Sequence, residues 1–378
     1  MKKILTTLSI IALTINLQSQ TIDLNAPMPI DPAIKTGKLD NGLTYFIKQN
    51  SHSEKRVELQ LAVNAGSMQE NDSQQGLAHF VEHMCFNGTK NFPKHKLIDF
   101  LEKMGIEFGA ELNAYTSFDE TVYFLSVPTD KPGLVDTAIM VLQEWAHNVS
   151  FENEEIDKER GVILSEWRLG LGADDRLRKQ YWPVMAKNSR YAQRFPIGLP
   201  EVIEKAPYDT VKQFYKDWYR PNLMAVSIVG DIDVNSIENK VKNLFSVIEN
   251  PPASRQRFDF PIPNNTTPIV GIAKDKEARY NMLQLFYKHQ RKDEIVVSDY
   301  KHTILKSILN NMLGVRLKEI IEKPDAPFVW AGSDYDDFLG RKTDAFYNIA
   351  VMKENKVLES IDKIVNLNKQ VKEHGFTQ

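Results

Sequence analysis

The sequence holds one cysteine, Cys85, among 378 residues. A lone cysteine closes no internal disulfide and excludes a thiolate-type structural zinc site, so any metal has to be held by His, Asp or Glu. A charge of one sign is also lacking: 47 Lys and Arg stand against 50 Asp and Glu, a net charge of −3. That balance supplies no basic field for phosphate neutralisation, and no nucleic acid is expected as a partner. Beyond residue 17 no apolar run is long enough to cross a bilayer, so no membrane span is expected in the mature chain.

The one apolar run that does occur covers 4–17, after Lys2 and Lys3 and before Gln18-Ser19-Gln20. A charged start, a short apolar stretch and a polar exit read as a secretory signal peptide over 1–20. The expected destination is outside the cytoplasm, periplasmic or secreted. The remaining composition, 42% apolar and 26% charged, is that of a globular protein, and the length predicts two domains.

Hydrophobic periodicity divides the chain further. Asp40-Asn41-Gly42 between apolar stretches predicts a hairpin over 37–49. Alternation predicts a strand at 57–63, and β-rich composition one or two strands at 111–127. Helices are expected over 76–87, 97–104, 134–148, 154–169 and 237–245, with a buried strand at 223–229. Pro251, Pro252, Pro261 and Pro263 mark a linker at 251–264. A second block follows, with strands at 282–287 and 345–351 and helices at 299–322 and 357–373. The expected organisation is a first domain over 25–250 and a second, structurally related one over 265–378, ending without a closing strand and so expected to be incomplete.

The chemistry lies in Gly76-Leu77-Ala78-His79-Phe80-Val81-Glu82-His83. On a helix His79 and His83 are four apart, so both imidazoles leave one face and can reach one zinc ion. Glu82 is three from His79 and can take a proton from a zinc-bound water. The order H-x-x-E-H inverts that of the common metallopeptidase motif. A catalytic zinc needs a third protein ligand, and the helix at 154–169 offers Glu159 and Glu166, seven apart on one face. One of them could ligate while the other orients a histidine.

Four segments carry a family resemblance: GLAHFVEHMCFNGTKNFP, ERGVILSEWR, NAYTSFDETVYF and FYKDWYRPNLMAVSIVGDID. They resemble, in order, the active-site helix, the second zinc helix, the substrate-binding edge strand and the end of the first domain of the pitrilysin/insulinase family, which includes mitochondrial processing peptidase. The resemblance implies an α+β fold of two related domains, each a mixed or antiparallel sheet packed by helices. It implies one Zn2+ per chain, held by His79, His83 and Glu166. Glu82 becomes the general base, Glu159 a supporting acid, and Asn113 and Ala114 the backbone edge beside the scissile bond. The implied activity is that of a zinc metalloendopeptidase acting on peptides or small proteins. A second homologous half or subunit would close the chamber. The alternative is a non-catalytic peptide-binding or scaffolding subunit, which would have no need to keep an intact HxxEH.

Other residues read as structural. His95 is too far from His83 to share its helix face. Cys85 reads as a small buried hydrophobe, and Trp167 and Trp218 as core.

Overall fold

The computed structural model describes residues 22–52, 54–107 and 109–376; the signal peptide expected over 1–20 lies outside them. Among the described residues the first sheet has six strands: β1 (Ile34–Lys38), β2 (Thr44–Gln49), β3 (Arg56–Val63), β4 (Leu112–Thr116), β5 (Thr121–Pro128) and β6 (Met224–Gly230). Their order is β1-β2-β6-β3-β5-β4. β2 and β6 run parallel; every other pairing is antiparallel. Strict alternation drives this sheet. Val57, Leu59, Leu61 and Val63 of β3 are buried, and so are Met224, Val226 and Ile228 of β6, while their neighbours along each strand are more open. The hairpin expected at 37–49 is β1 and β2, and the region 111–127 resolves into two strands, β4 and β5.

Eight α-helices accompany that sheet in the same part of the chain, among the described residues. They are α1 (Leu77–Met84), α2 (Lys96–Lys103), α3 (Leu134–His147), α4 (Asn153–Leu169), α5 (Ala173–Met185), α6 (Pro200–Lys205), α7 (Tyr208–Trp218) and α8 (Val234–Phe245). α3 packs on β3 and β5, α8 on β2, and α1 sits between β4, α4 and α7. Phe80, Trp145, Phe214, Trp218 and Phe245 fill the space between them. Trp218 is core, as expected. Trp167 is only half-buried, because α4 turns that face outward and lays the ring under Lys179 Nζ at 5.9 Å.

Residues 251–280 contain no helix or strand. The stretch is pinned to the first sheet's helices: Gln69 Nε2 donates to Phe258 O at 3.0 Å, and the Arg255 guanidinium lies 4.9 Å from the Trp218 ring centre. Beyond it a second, antiparallel sheet forms in the order β7-β9-β8 from β7 (Asn281–Gln290), β8 (Phe328–Gly340) and β9 (Thr343–Met352). α9 (Val297–Ile321) and α10 (Val357–His374) pack on it around Leu313, Leu317, Phe328, Ala350 and Ile364. The architecture is α+β with two sheets, each packed by helices. No helix among the described residues is long and apolar enough to cross a membrane.

Candidate metal centre

α1 is short, and both its ends are fixed from outside. Gly76 precedes it with φ +101, and its Cα lies against Gly198, itself at φ +72; a Cβ on Gly198 would fall 2.2 Å from Gly76 Cα. Only glycine fits such a back-to-back contact without strain. Glu70, fully buried, accepts the Ala78 N–H at 2.9 Å and so occupies a donor that the helix start leaves free. Burial lifts that carboxyl to about 8, against the pull of the N–H donors and Arg194. At the other end Trp145 Nε1 donates to Cys85 O at 3.0 Å.

The frame presents His79 and His83 on one face, with their Nε2 atoms 3.1 Å apart. Glu166 reaches them from α4: its Oε2 is 3.6 Å from His79 Nε2 and 3.5 Å from His83 Nε2. The three residues can each offer one ligand atom, all within 4.8 Å of one another. Two imidazole nitrogens and a carboxylate oxygen converging in this way fit a tetrahedral zinc with one position left open. Glu159, about two turns earlier on the same helix, faces the other ring nitrogen; its Oε1 is 2.7 Å from His83 Nδ1. Asn87 Nδ2 donates to the second Glu159 oxygen. With Nδ1 held on that carboxylate, Nε2 is the ring nitrogen left to face the metal position.

Electrostatics separate the two histidines. Burial and the neighbouring His83 lower His79 to about 4. Burial also works to lower His83, but its hydrogen bonds to Glu159 and Glu166 outweigh that and raise it to about 9. Glu166, half-exposed, is lowered by its hydrogen bond to His83. Glu82 is buried, and burial raises its carboxyl. Thr116 Oγ1 donates to Glu82 Oε2 at 2.6 Å from β4, which is the edge strand nearest α1.

Sequence reasoning named His79, Glu82, His83, Glu159 and Glu166, and the fold brings all five together. Asn113 and Ala114 lie on β4, two or three residues before Thr116. Three supporting residues escaped it: Thr116, Asn87 and Glu70. Period-two alternation along β4 puts Thr116 on the same face as Ala114, which was a usable signal. Asn87-Gly88-Thr89 carries the glycosylation pattern, yet Asn87 and Thr89 are both buried. Cys85 is buried against Tyr123, its Sγ 3.2 Å from the hydroxyl, and burial pushes the thiol far up. His95 stands at the surface, 3.9 Å from Glu155.

A sheet edge, an H-x-x-E-H helix and a glutamate from a second helix thus meet at one place that could hold a metal ion. The profile of the insulinase family (peptidase family M16) matches residues 45–169, and that of the peptidase M16 inactive domain matches 205–378. The chain belongs to this family. It is 34% identical to the probable zinc protease PqqL of Haemophilus influenzae over all of its own length and 41% of that protein's. The crystal structure of the first half of the periplasmic protease PqqL from Escherichia coli superposes with a TM-score of 0.82 at 31% identity, covering 93% of this chain and 75% of that one. A probable mitochondrial-processing peptidase subunit beta of Arabidopsis thaliana is 28% identical over 60% of this chain and 41% of its own length. The chain thus spans about two fifths of the length of the curated PqqL relative.

Proposed function

We propose that this chain is the zinc-bearing part of an endopeptidase that hydrolyses peptide bonds in peptides or small proteins. The observation that carries the reading is the convergence of His79, His83 and Glu166 beside a buried Glu82. His79 Nε2, His83 Nε2 and Glu166 would hold Zn2+. When bound, it supplies a Lewis acid that polarises the substrate carbonyl and eases deprotonation of water.

The chain's own residues do the rest. Glu82 takes the proton of the attacking water on Oε1, since Thr116 occupies Oε2, and then delivers it to the leaving amine. Burial raises Glu82 and so favours a carboxyl that can both accept and return a proton. Glu159 keeps the His83 ring turned toward the metal position. Asn113 and Ala114 lie on the free edge of the sheet, where an extended peptide can add as a further strand. The segment at 1–20 and the periplasmic relative support export. We put the linker between the two units at 251–264, and the shorter span relative to PqqL supports a second half that closes the chamber.

The test is hydrolysis of a mixture of quenched fluorescent decapeptides by the zinc-loaded chain. Glu82→Gln is expected to lose at least about 100-fold in rate, the usual scale of a lost general base. His79→Ala is expected to lose its bound zinc, measured by atomic absorption. Equal cleavage by Glu82→Gln and the parent sinks the mechanism, and undiminished zinc in His79→Ala sinks the ligand set.

A further inference from the structure

The turn of the β8–β9 hairpin leaves the second sheet and ends against the first unit. Phe338 is buried there with Met68 and Tyr191. Gly340 sits so near Tyr191 that a Cβ would meet its hydroxyl at 2.1 Å. Leu339 holds φ +62, a conformation that leucine keeps only when its surroundings impose it. The hairpin tip is therefore held in place by its neighbours.

Arg341 is the first residue of the turn itself and reaches two separate parts of the first sheet. Its Nη1 donates to Asn64 Oδ1 at 2.5 Å, just past the end of β3. Its Nη2 donates to Glu120 Oε2, and its backbone N–H to Asp119 Oδ2 at 3.4 Å. Both acids belong to the β4–β5 turn, which Ser117 N–H closes onto Glu120 O at 2.8 Å. The other Glu120 oxygen accepts the Tyr115 hydroxyl at 2.8 Å. Tyr115 is in β4, and the next residue, Thr116, donates to Glu82. A single carboxylate is thus tied to the second unit on one side and to the edge strand on the other. A cleft of about 720 Å³, lined by charges of both signs, opens beside this tie. One exposed ion pair contributes little by itself. Here three bonds converge on one residue whose backbone is fixed by packing.

We propose that Arg341 is a positioning residue for the peptide substrate, tethering the β4–β5 turn to the second unit and so setting the lie of the edge strand beside Glu82. This rests on reading β4 as the peptide-binding edge. Arg341 acts through Glu120 and Tyr115. Its neighbour Lys342 pairs with Asp259 at 3.5 Å and serves as the control.

The experiment compares Arg341→Ala, Lys342→Ala and the parent as full, zinc-loaded chains, by amide hydrogen exchange and by steady-state hydrolysis of the decapeptide mixture. In Arg341→Ala, amides of 112–120 are expected to exchange about tenfold faster, with zinc content unchanged. KM is expected to rise about tenfold with kcat within about twofold, the signature of lost binding rather than lost chemistry. Lys342→Ala is expected to match the parent in both. Unchanged exchange in Arg341→Ala, or the same change in Lys342→Ala, overturns the tether. Faster exchange with an unchanged KM overturns its part in substrate binding. A parent that cleaves no peptide overturns the proposed function, and the exchange data then decide the tether alone.

Discussion

In the first unit a six-stranded sheet is packed by helices, and one connected core draws its members from between Leu39 and Ile248. In the second, three strands carry two helices, and the core reduces to a few residues around Leu317 and Phe328. The helices show the contrast directly. Six of the eight residues of α1 are buried, against four of twenty-five in α9, where Tyr300, Ile304, Ile308 and Met312 lie exposed along one side. The candidate metal centre is built on α1, the helix with most of its residues buried in the first core. A ligand set has to be held to within a fraction of an ångström, and only close-packed side chains on regular elements hold it so.

Core truncation tests this contrast with the largest expected effect. Leu61→Ala, on the central strand β3, is expected to cost about 3 kcal/mol in denaturant unfolding, whereas Ile304→Ala on the open side of α9 should stay within about 0.5 kcal/mol. Comparable losses at both positions would mean that the α9 face is as well buried in solution as the first core.

Glu159→Ala probes the frame around the metal more narrowly. It leaves the ligand atoms in place but frees the His83 ring, and zinc affinity is expected to fall about 10- to 100-fold in a competition titration with a chelating dye. Unaltered affinity would show that the packing of α1 alone orients His83.

The smallest effect concerns pH. Glu238 on α8 is held down to about 2 by hydrogen bonds from Lys242 and Tyr45, with burial opposing. A carboxylate depressed in the folded state contributes stability above its unfolded value near 4.5 and loses it as pH falls toward 2. The melting-temperature deficit of Glu238→Gln should therefore be full at pH 7 and shrink between about pH 4.5 and 2. A deficit that stays constant over that range would rule the linkage out.

The sequence spoke most clearly where local rules and tertiary structure agree. Val57, Leu59, Leu61 and Val63 announce β3 by alternation, and the helical spacing of His79, Glu82 and His83 survives intact in α1. β8 was not foreseen. Asp334, Asp336 and Asp337, with Gly332 and Gly340, are poor strand formers, and they are extended because β9 pairs with them. α5 to α7 were not foreseen either: Pro183 lies inside α5, while Pro200 and Pro207 open α6 and α7, and proline reads as a break before it reads as a first turn. Trp167 misled because its size suggests burial, whereas α4 needs that face for Glu166 and solvent. Thr116 and Glu70 were illegible in another sense. Each matters only through a partner 34 or 8 residues away in the chain, and no periodicity reports such a contact.

β4 has a further consequence, for how the protein avoids its own kind. A bare strand edge is a template for indiscriminate pairing and aggregation. The Ala114 N–H, however, already donates to Asn113 Oδ1 at 2.8 Å, and Asn113 Nδ2 in turn donates to Gly109 O at 3.2 Å. Any strand that docks through this amide has to displace a side chain that satisfies it, at a cost of about 1 kcal/mol. That threshold discourages casual association while leaving the edge open to a segment that brings enough contacts of its own.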